Sequence, residues 1–400
     1  MKNVICKTAP QDQSTIKYNN MKMILDIIRD SREVSRSEIA RMTGMSPTSA
    51  TRLVGSLEEC GLVRDMAAVS NGVGRKAVML DVEENAFYCI GLDISETNLK
   101  LCILNFGGQI VARGAAPAPC DSFQPEEVVE IFYRMYQQLA IQAKIPKEKV
   151  AAIGAGAVGT VDSKTGEVIF GDLIRWSNVP IGQMIEERFG LPTYVDNDVK
   201  CAIIGDCSTP PIKGADDVVL LSFGCGVGGA VIHRGRLVRG SINSAGEIGH
   251  TIVDYTDGRL CSCGRRGCAA AYLTKDQIIQ QATKFCPEIS SLEEIMAAWE
   301  RREPWAEALL DRISTYMAIT VSNAACFLNP RNMILGGKLM NEYPFLFDLV
   351  LEKYNVMMYP PLRGATAFIR SPLGTDATCV GGAMIAVEKH VYKVMRSASE

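Results

Sequence analysis

Gly246-Glu-Ile-Gly-His250 leads, eleven residues after its histidine, into Cys261-Ser-Cys-Gly-Arg-Arg-Gly-Cys268. Three thiols, Cys261, Cys263 and Cys268, fall within eight residues, and the His250 imidazole stands just ahead of them. Three thiolates and one imidazole complete the tetrahedral shell that Zn2+ prefers and leave no position for a catalytic water, so the spacing reads as a structural zinc site. Gly264 and Gly267 supply the sharp turns that close-spaced thiolates need around one ion. The chain has 14 cysteines but only 3 histidines, so chance clustering explains the thiols more easily than the imidazole beside them.

Working outward, 400 residues make room for two or three domains. With 47% hydrophobic and 22% charged residues the composition is that of a soluble globular protein. No apolar run approaches a membrane span, and the opening M-K-N-V-I-C-K has no signal-peptide core. The expectation is a cytoplasmic protein with no membrane partner, and cysteines at no paired spacing agree with a reducing compartment. The net charge of −3 hides an asymmetry: residues 1–80 hold 12 Lys+Arg against 8 Asp+Glu, while the remainder hold 30 against 37. A basic segment on an acidic body points toward nucleic acid at the N-terminal end.

Residues 1–15 are polar without a period and read as a flexible tail. Met21 to Arg29 places apolar residues at helical spacing. Ser35 with Glu38 forms a capping box opening a helix over Arg36 to Thr43, and Gly44 ends it. Ser46 as N-cap and Pro47 at the first helical position start another helix, Thr48 to Cys60, which buries Ala50, Leu53, Val54 and Leu57. Helix, glycine-containing turn and helix is the helix-turn-helix pattern. Ser46, Thr48, Ser49, Thr51 and Arg52 are the small polar and basic side chains that would meet base edges and phosphates in a major groove. Short strands at Leu62–Arg64 and Ala77–Leu80 would flank a hairpin wing that sets Arg75 and Lys76 against the DNA backbone or minor groove. The plainer reading of this segment is a three-helix packing module with no DNA contact.

The rest of the chain follows one grammar twice: strands, helix, strand, helix. Strands are expected at 87–92, 99–104, 109–115 and 150–155, with helices at 124–143 and 180–189. Asn197 and Asp198 follow a strand at 192–195 and begin a helix, the place where α/β folds bind ligands; Asp196 and Asp198 would equally serve as helix caps. The second half opens with a strand at 218–223 and the loop Gly224-Cys-Gly-Val-Gly-Gly229, whose backbone N–H groups can approach a phosphate or a sugar. Helices fill most of 275–328, a strand and a glycine pair lie within 329–337, and a last helix starts near Val380 and passes His390. Two α/β lobes with a cleft between them are expected.

These residues resemble the ROK family of repressors, open reading frames and sugar kinases. Gly240 to Gly249 matches the signature ending in G-E-I-G-H, Cys261 to Cys268 matches its C-x-C-G-x-x-G-C zinc motif, and Asn197-Asp198 matches its N-D motif. Gly224–Gly229 looks like the second phosphate loop, Leu335–Gly337 like the adenosine-side loop, and Ala157–Asp162 like the v-P-G-x-v-D segment with Val158 in place of proline. The match covers nearly all of residues 17–390. The resemblance implies an N-terminal all-α/winged helix domain over 16–82, then an α/β actin-like (ribonuclease H-like) two-lobed ATPase fold. Its small lobe would take 83–200 with 383–400, and its larger lobe 201–382 with the zinc site. It also implies that Asn197, Asp198, Glu247 and His250 touch sugar hydroxyls, with Asp198 the base in kinase members. A carboxylate accepting two hydroxyls selects one sugar stereochemistry, and His250 can hold zinc through one nitrogen while its ring walls the sugar pocket.

Two departures separate this chain from the family's kinases. They carry D-I-G-G-T-K where this chain reads Asp93-Ile-Ser-Glu-Thr-Asn98. Ser95 and Glu96 add side chains where phosphate would meet backbone, and like charges at such range cost roughly a few kcal/mol in a low-dielectric cleft. ATP is therefore not an expected cofactor and no catalytic residue is expected. Ala270 stands where many members carry a sugar-binding glutamate, and a lost charged hydrogen bond costs about 1.5–3 kcal/mol. The expectation is a sugar-responsive transcriptional regulator, a repressor, with structural zinc. It would bind a double-stranded DNA operator as a homodimer or dimer of dimers and take a monosaccharide or sugar phosphate as effector. The alternative is an active sugar kinase fused to a DNA-binding domain, which Asp198 favours; a third reading is a DNA-binding protein without a ligand, which Ala270 favours.

Overall fold

The computed structural model describes residues 13–31, 33–66, 78–119 and 123–399. Its first unit contains α1 (Gln13–Ser31), β1 (Val34–Ser35), α2 (Arg36–Thr43), α3 (Pro47–Glu59), β2 (Val63–Asp65) and β3 (Met79–Val82). The Ser35–Glu38 capping box is present in both directions, and Ser46 caps α3 with Pro47 in its first turn. Gly44 ends α2 at φ 70°, a left-handed conformation that glycine adopts freely. Ala50, Leu53, Val54 and Leu57 are buried, as their spacing predicts. Three readings shift. Gln13, Ser14 and Thr15, expected in the tail, are helical. Val34 and Ser35, where no strand was expected, pair with β3 and complete a β1-β3-β2 sheet. The two later strands each begin a residue or two further on than expected. The wing tip, with Arg75 and Lys76, lies outside the described residues.

The first lobe contains β4 (Tyr88–Ile94), β5 (Asn98–Asn105), β6 (Ile110–Pro117), α4 (Pro125–Gln142), β7 (Val150–Ala157), β8 (Thr160–Asp162), β9 (Glu167–Gly171), β10 (Trp176–Val179), α5 (Ile181–Phe189), β11 (Thr193–Asn197) and α6 (Asp198–Asp206). Its sheet runs β11-β7-β4-β5-β6, an antiparallel meander joined to two parallel strands. Strands β8, β9 and β10 form a small antiparallel sheet that the sequence reading did not anticipate.

The second lobe contains β12 (Val218–Phe223), β13 (Val227–His233), β14 (Arg236–Leu237), α7 (Ala270–Leu273), α8 (Lys275–Ala282), α9 (Leu292–Glu300), α10 (Pro304–Leu328), β15 (Asn332–Gly336), α11 (Lys338–Glu342), α12 (Phe345–Met357) and β16 (Ala367–Arg370). Its sheet order is β14-β13-β12-β15-β16. Cys261, Cys268 and Tyr272 join the apolar core formed by this sheet and its helices.

The last helix, α13 (Ala377–Ser397), starts three residues ahead of the expected Val380 and ties the units together. Backbone meets backbone where it crosses the first lobe. A Cβ on Gly381 would sit 1.7 Å from the Cys201 carbonyl oxygen, one on Gly91 1.9 Å from that of Cys379, and one on Gly154 1.8 Å from that of Gly382. No side chain fits at those distances, so α13 rests directly on β4, β7 and α6. Its far half holds α1: Tyr18 packs edge-on against Tyr392 at 5.0 Å, Arg396 donates to Thr15, and Lys22 reaches Glu388. Met21, Ile24 and Ile28 share one core with Ala386, Val387, Val391 and Met395. That docking explains why a polar, aperiodic stretch is helical: its partners lie more than 300 residues away.

Candidate functional site

A cavity of about 450 Å3 opens between the lobes, lined from the first by Asp93, Ser95, Glu96, Asn197 and Asp198, and from the second by Gly224–Val227, Glu247, His250 and Ala270. Ala377 and Thr378, the first residues of α13, form part of the same wall. All four expected sugar contacts, Asn197, Asp198, Glu247 and His250, therefore converge on one space.

Asn197 does double work. Its side-chain oxygen caps α6 by accepting from the Lys200 N–H at 3.1 Å, while Nδ2 donates to the Asp198 carboxylate at 2.8 Å and to the Gly159 carbonyl at 3.0 Å. Capping thus falls to Asn197 rather than to Asp196 or Asp198. Burial pushes the Asp198 carboxyl up to about 7, with Glu96 and Glu247 adding to the shift and the Val199 backbone N–H opposing it. Asp93, which the sequence reading did not single out, is 8% exposed and is pushed up to about 8, first by burial and then by the Asp198 charge. Its position at the end of β4, opposite the Asn197-Asp198 end of β11 across β7, was the available signal.

Beneath the cavity lies a polar cluster that the sequence reading did not assemble. Asp196, 2% exposed, accepts from the Arg239 guanidinium at 2.6 Å, from Asn243 Nδ2 at 3.1 Å and from the Asn197 N–H at 2.9 Å. Arg239 also donates to Ser163, and Asn243 to the Val161 carbonyl. Lys200, equally buried, donates to the Asn243 carbonyl at 2.7 Å. Desolvation lowers its pKa, and the Asp196 and Glu247 charges oppose that shift.

At the opposite end Ser95 donates to the Asn98 carbonyl at 2.7 Å. Glu96 faces the Cys225 thiol, and burial, followed by the Glu96 charge, pushes that thiol up to about 12. Lys338 pairs with Glu342 at 3.7 Å, and Lys100 with Asp376 at 3.9 Å. Asp206, fully buried on α6, accepts from Ser371 and from the Leu373 N–H, which joins α6 to the segment leading into α13.

His250, Cys261, Cys263 and Cys268 gather with all ligand atoms within 4.8 Å of one another. Cys263 and Cys268 sulfurs are 3.7 Å apart, as are Cys261 Sγ and His250 Nδ1. A tetrahedral ion with metal–sulfur bonds of about 2.3 Å separates its ligands by about 3.5–3.8 Å, so the donor set fits zinc in kind and spacing. The left-handed φ of Gly267, 79°, and a space in which a Cβ would lie 1.8 Å from the Asp254 carbonyl oxygen explain the glycine there. Arg265 donates to the His250 carbonyl at 2.8 Å, and its backbone N–H holds the Cys263 thiol down at about 6. His250 belongs to both the cluster and the cavity wall.

In the first unit Thr48, Thr51 and Arg52 are exposed on α3. Ser46 and Ser49 are joined by the cap: Ser46 accepts from the Ser49 N–H at 3.1 Å, and their hydroxyls meet at 2.9 Å. No described helix is long and apolar enough to cross a membrane.

Comparison with known proteins agrees with this architecture. The ROK family matches residues 89–389, and the IclR helix-turn-helix domain matches 22–65. A xylose repressor of Caldicellulosiruptor bescii is 25% identical over 356 residues, 86% of this chain and 88% of its own. A glucokinase of Halalkalibacterium halodurans is 26% identical over 314 residues, 75% of this chain and 95% of its own. The crystal structure of a ROK family transcriptional regulator, a homologue of the E. coli MLC protein, superposes with a TM-score of 0.81 at 21% identity, covering 97% of this chain and 99% of that one.

Proposed function

The chain belongs to the ROK family, and from that membership we propose that it is a sugar-responsive DNA-binding repressor. Residues 13–82 form its DNA-binding unit, 83–206 with α13 the small lobe, and 207–376 the larger, so the expected boundaries shift to the ends of α1, α6 and α13. One observation carries the reading: α13 begins in the wall of the cleft at Ala377 and Thr378 and ends against α1 of the helix-turn-helix unit. The helix spans about 30 Å. A change in how the lobes close on a sugar moves the platform on which α1 rests, and binding of sugar and of operator then oppose one another by the same factor in both directions.

Asn197, Asp198, Glu247 and His250 are the sugar contacts in this reading. Asp198 and Glu247 accept hydrogen bonds from the hydroxyls of a monosaccharide or sugar-phosphate effector. Thr48, Thr51 and Arg52 face the operator, with Ser46 and Ser49 fixing the helix end, and Arg75 and Lys76 following the backbone from the wing. Helix-turn-helix proteins read paired half-sites, so the active form is a homodimer or a dimer of dimers. His250, Cys261, Cys263 and Cys268 hold a structural zinc ion, which, when bound, fixes the loop that carries His250 into the cavity wall. The protein works in the cytoplasm.

Ser95 and Glu96 speak against ATP, since a triphosphate between Glu96 and the Gly224–Gly229 loop meets a carboxylate instead of free backbone. A sugar kinase with a DNA-binding domain is the second reading. It draws on Asp198, whose pKa of about 7 suits a general base.

Thermal melts of the zinc-loaded protein with D-xylose, D-glucose, their phosphates and magnesium ATP test the choice, alongside operator titrations. A ligand at a hundred times its dissociation constant stabilises by about 2.7 kcal/mol. A free sugar should raise the melt and weaken operator binding while ATP does neither. An ATP shift, with sugar phosphate formed, selects the kinase. No response to any compound counts against both.

A further inference from the structure

We propose that Arg239 and Asn243 form a clasp with Asp196 that holds the sugar end of the cleft shut, making these three the positioning residues for the effector. The inference rests on the sugar-sensing reading and extends it to residues that do not touch the sugar.

The clasp joins two lobes whose main cores are separate, while α6 of the first packs Val199 and Ile203 against β12, β13 and β15 of the second. Asp196 lies next to the end of β11 of the first-lobe sheet, Val161 lies in β8 of the small sheet packed on that lobe, and Ser163 follows that strand directly. Arg239 and Asn243 stand on the loop after β14, the edge strand of the second-lobe sheet. Every bond between the two groups therefore crosses the cleft: Arg239 to Asp196 and Ser163, Asn243 to Asp196 and the Val161 carbonyl. Both halves adjoin proposed sugar contacts. Asp196 accepts the N–H of Asn197, and Asn243 lies four residues before Glu247 on the same loop. Opening the clasp separates Asn197 and Asp198 from Glu247 and His250, so no single sugar could meet both.

The local chemistry suits a latch more than a permanent weld. Asp196 is almost fully buried, while Arg239 is two-fifths exposed, so water can reach the guanidinium when the pair parts. Asn243 sits at φ 60°, a conformation that asparagine tolerates better than most residues, and the turn aims its amide back across the cleft. Lys200 donates to the Asn243 carbonyl from α6, so the loop is held to the helix that begins at Asp198.

Hydrogen exchange and sugar titration on the full-length zinc-loaded protein test this together. In wild type, peptides covering 159–166 and 237–245 should exchange slowly and at matched rates without sugar. In R239A and N243D both should speed up at least about tenfold, the factor for losing a charged hydrogen bond. The zinc-loop peptides should stay unchanged, which separates clasp opening from unfolding. D-xylose and D-glucose affinities should fall by a similar factor and recover in part in R239K, while sugar-free operator affinity holds or rises, since the open cleft is the arrangement that α13 couples to operator binding. Unchanged exchange at 159–166 in R239A overturns the clasp. So does a sugar affinity within twofold of wild type. If the wild-type protein binds neither sugar, the sensing reading fails, and the coupled exchange of the two peptides alone decides whether the clasp exists.

Discussion

The two ends of the cleft are built from the same kinds of residue and differ in what those residues are free to do. At one end Asn197 is fixed by its cap, His250 is fixed by the thiol cluster behind it, and Asp198 and Glu247 border open space. At the other, Ser95 turns back on its own loop, Glu96 faces Cys225, and both Lys100 and Lys338 are paired with carboxylates of the protein. One end leaves oriented side chains bordering the cavity; the other satisfies its own groups. A cleft's ligand is set less by which residues line it than by which are still unspent.

Removing the proposed zinc ion attacks the first end at its support and carries the largest expected effect. Chelation, or C268S, should destabilise the second lobe by several kcal/mol, on the order of 5 or more, because structural zinc binding contributes directly to folding. Metal analysis of the purified protein with a melt before and after chelation measures it. If the melt is unchanged, the four ligands do not hold an ion that matters to the fold. D198A should leave the fold intact and lower sugar affinity about a hundredfold, roughly 3 kcal/mol, by titration calorimetry.

Between the ends sits Asp93. Its carboxyl, with that of Asp198, binds a proton far more tightly in the folded chain, near 8 and 7, than the usual 3.8. The folded state therefore binds more protons, and stability falls as pH rises from about 4 toward 8. D93N should lift that penalty by about 1–3 kcal/mol at pH 8, with the gain fading toward pH 4. Urea titrations across that range give the slope, and a gain independent of pH would mean that Asp93 is not the titrating group.

The smallest effect is expected at the second end. Replacing both Ser95 and Glu96 by glycine should let magnesium ATP raise the melt by about 1 kcal/mol where wild type shows nothing, since the removed repulsion is partly screened. A larger shift accompanied by sugar phosphate would erase the contrast between the ends.

The elements that local chemistry dictates were legible. Both caps of the helix-turn-helix, the glycine stop at Gly44 and the cysteine–histidine cluster sit where residue spacing places them. A second capping box, Ser291 with Glu294, carried the same signal and was overlooked. What was not legible depends on distant partners. The first turn of α1 is held by the end of α13, and β1 exists only because β3 lies beside it. Strands β8 to β10 are only three to five residues long, too few to display a period. Asp196 gave no hint of Arg239 because 43 positions separate them and neither belongs to a recognisable spacing.

The seat of α13 also fixes how this protein can be rebuilt. A chimera that exchanges residues 13–82 for another DNA-reading unit would leave Tyr392 and Arg396 facing a foreign helix, without Tyr18 and Thr15. The transplantable module is discontinuous: the first eighty residues together with the far half of the last helix, cut beyond Gly382, where the backbone-on-backbone contact with the first lobe ends.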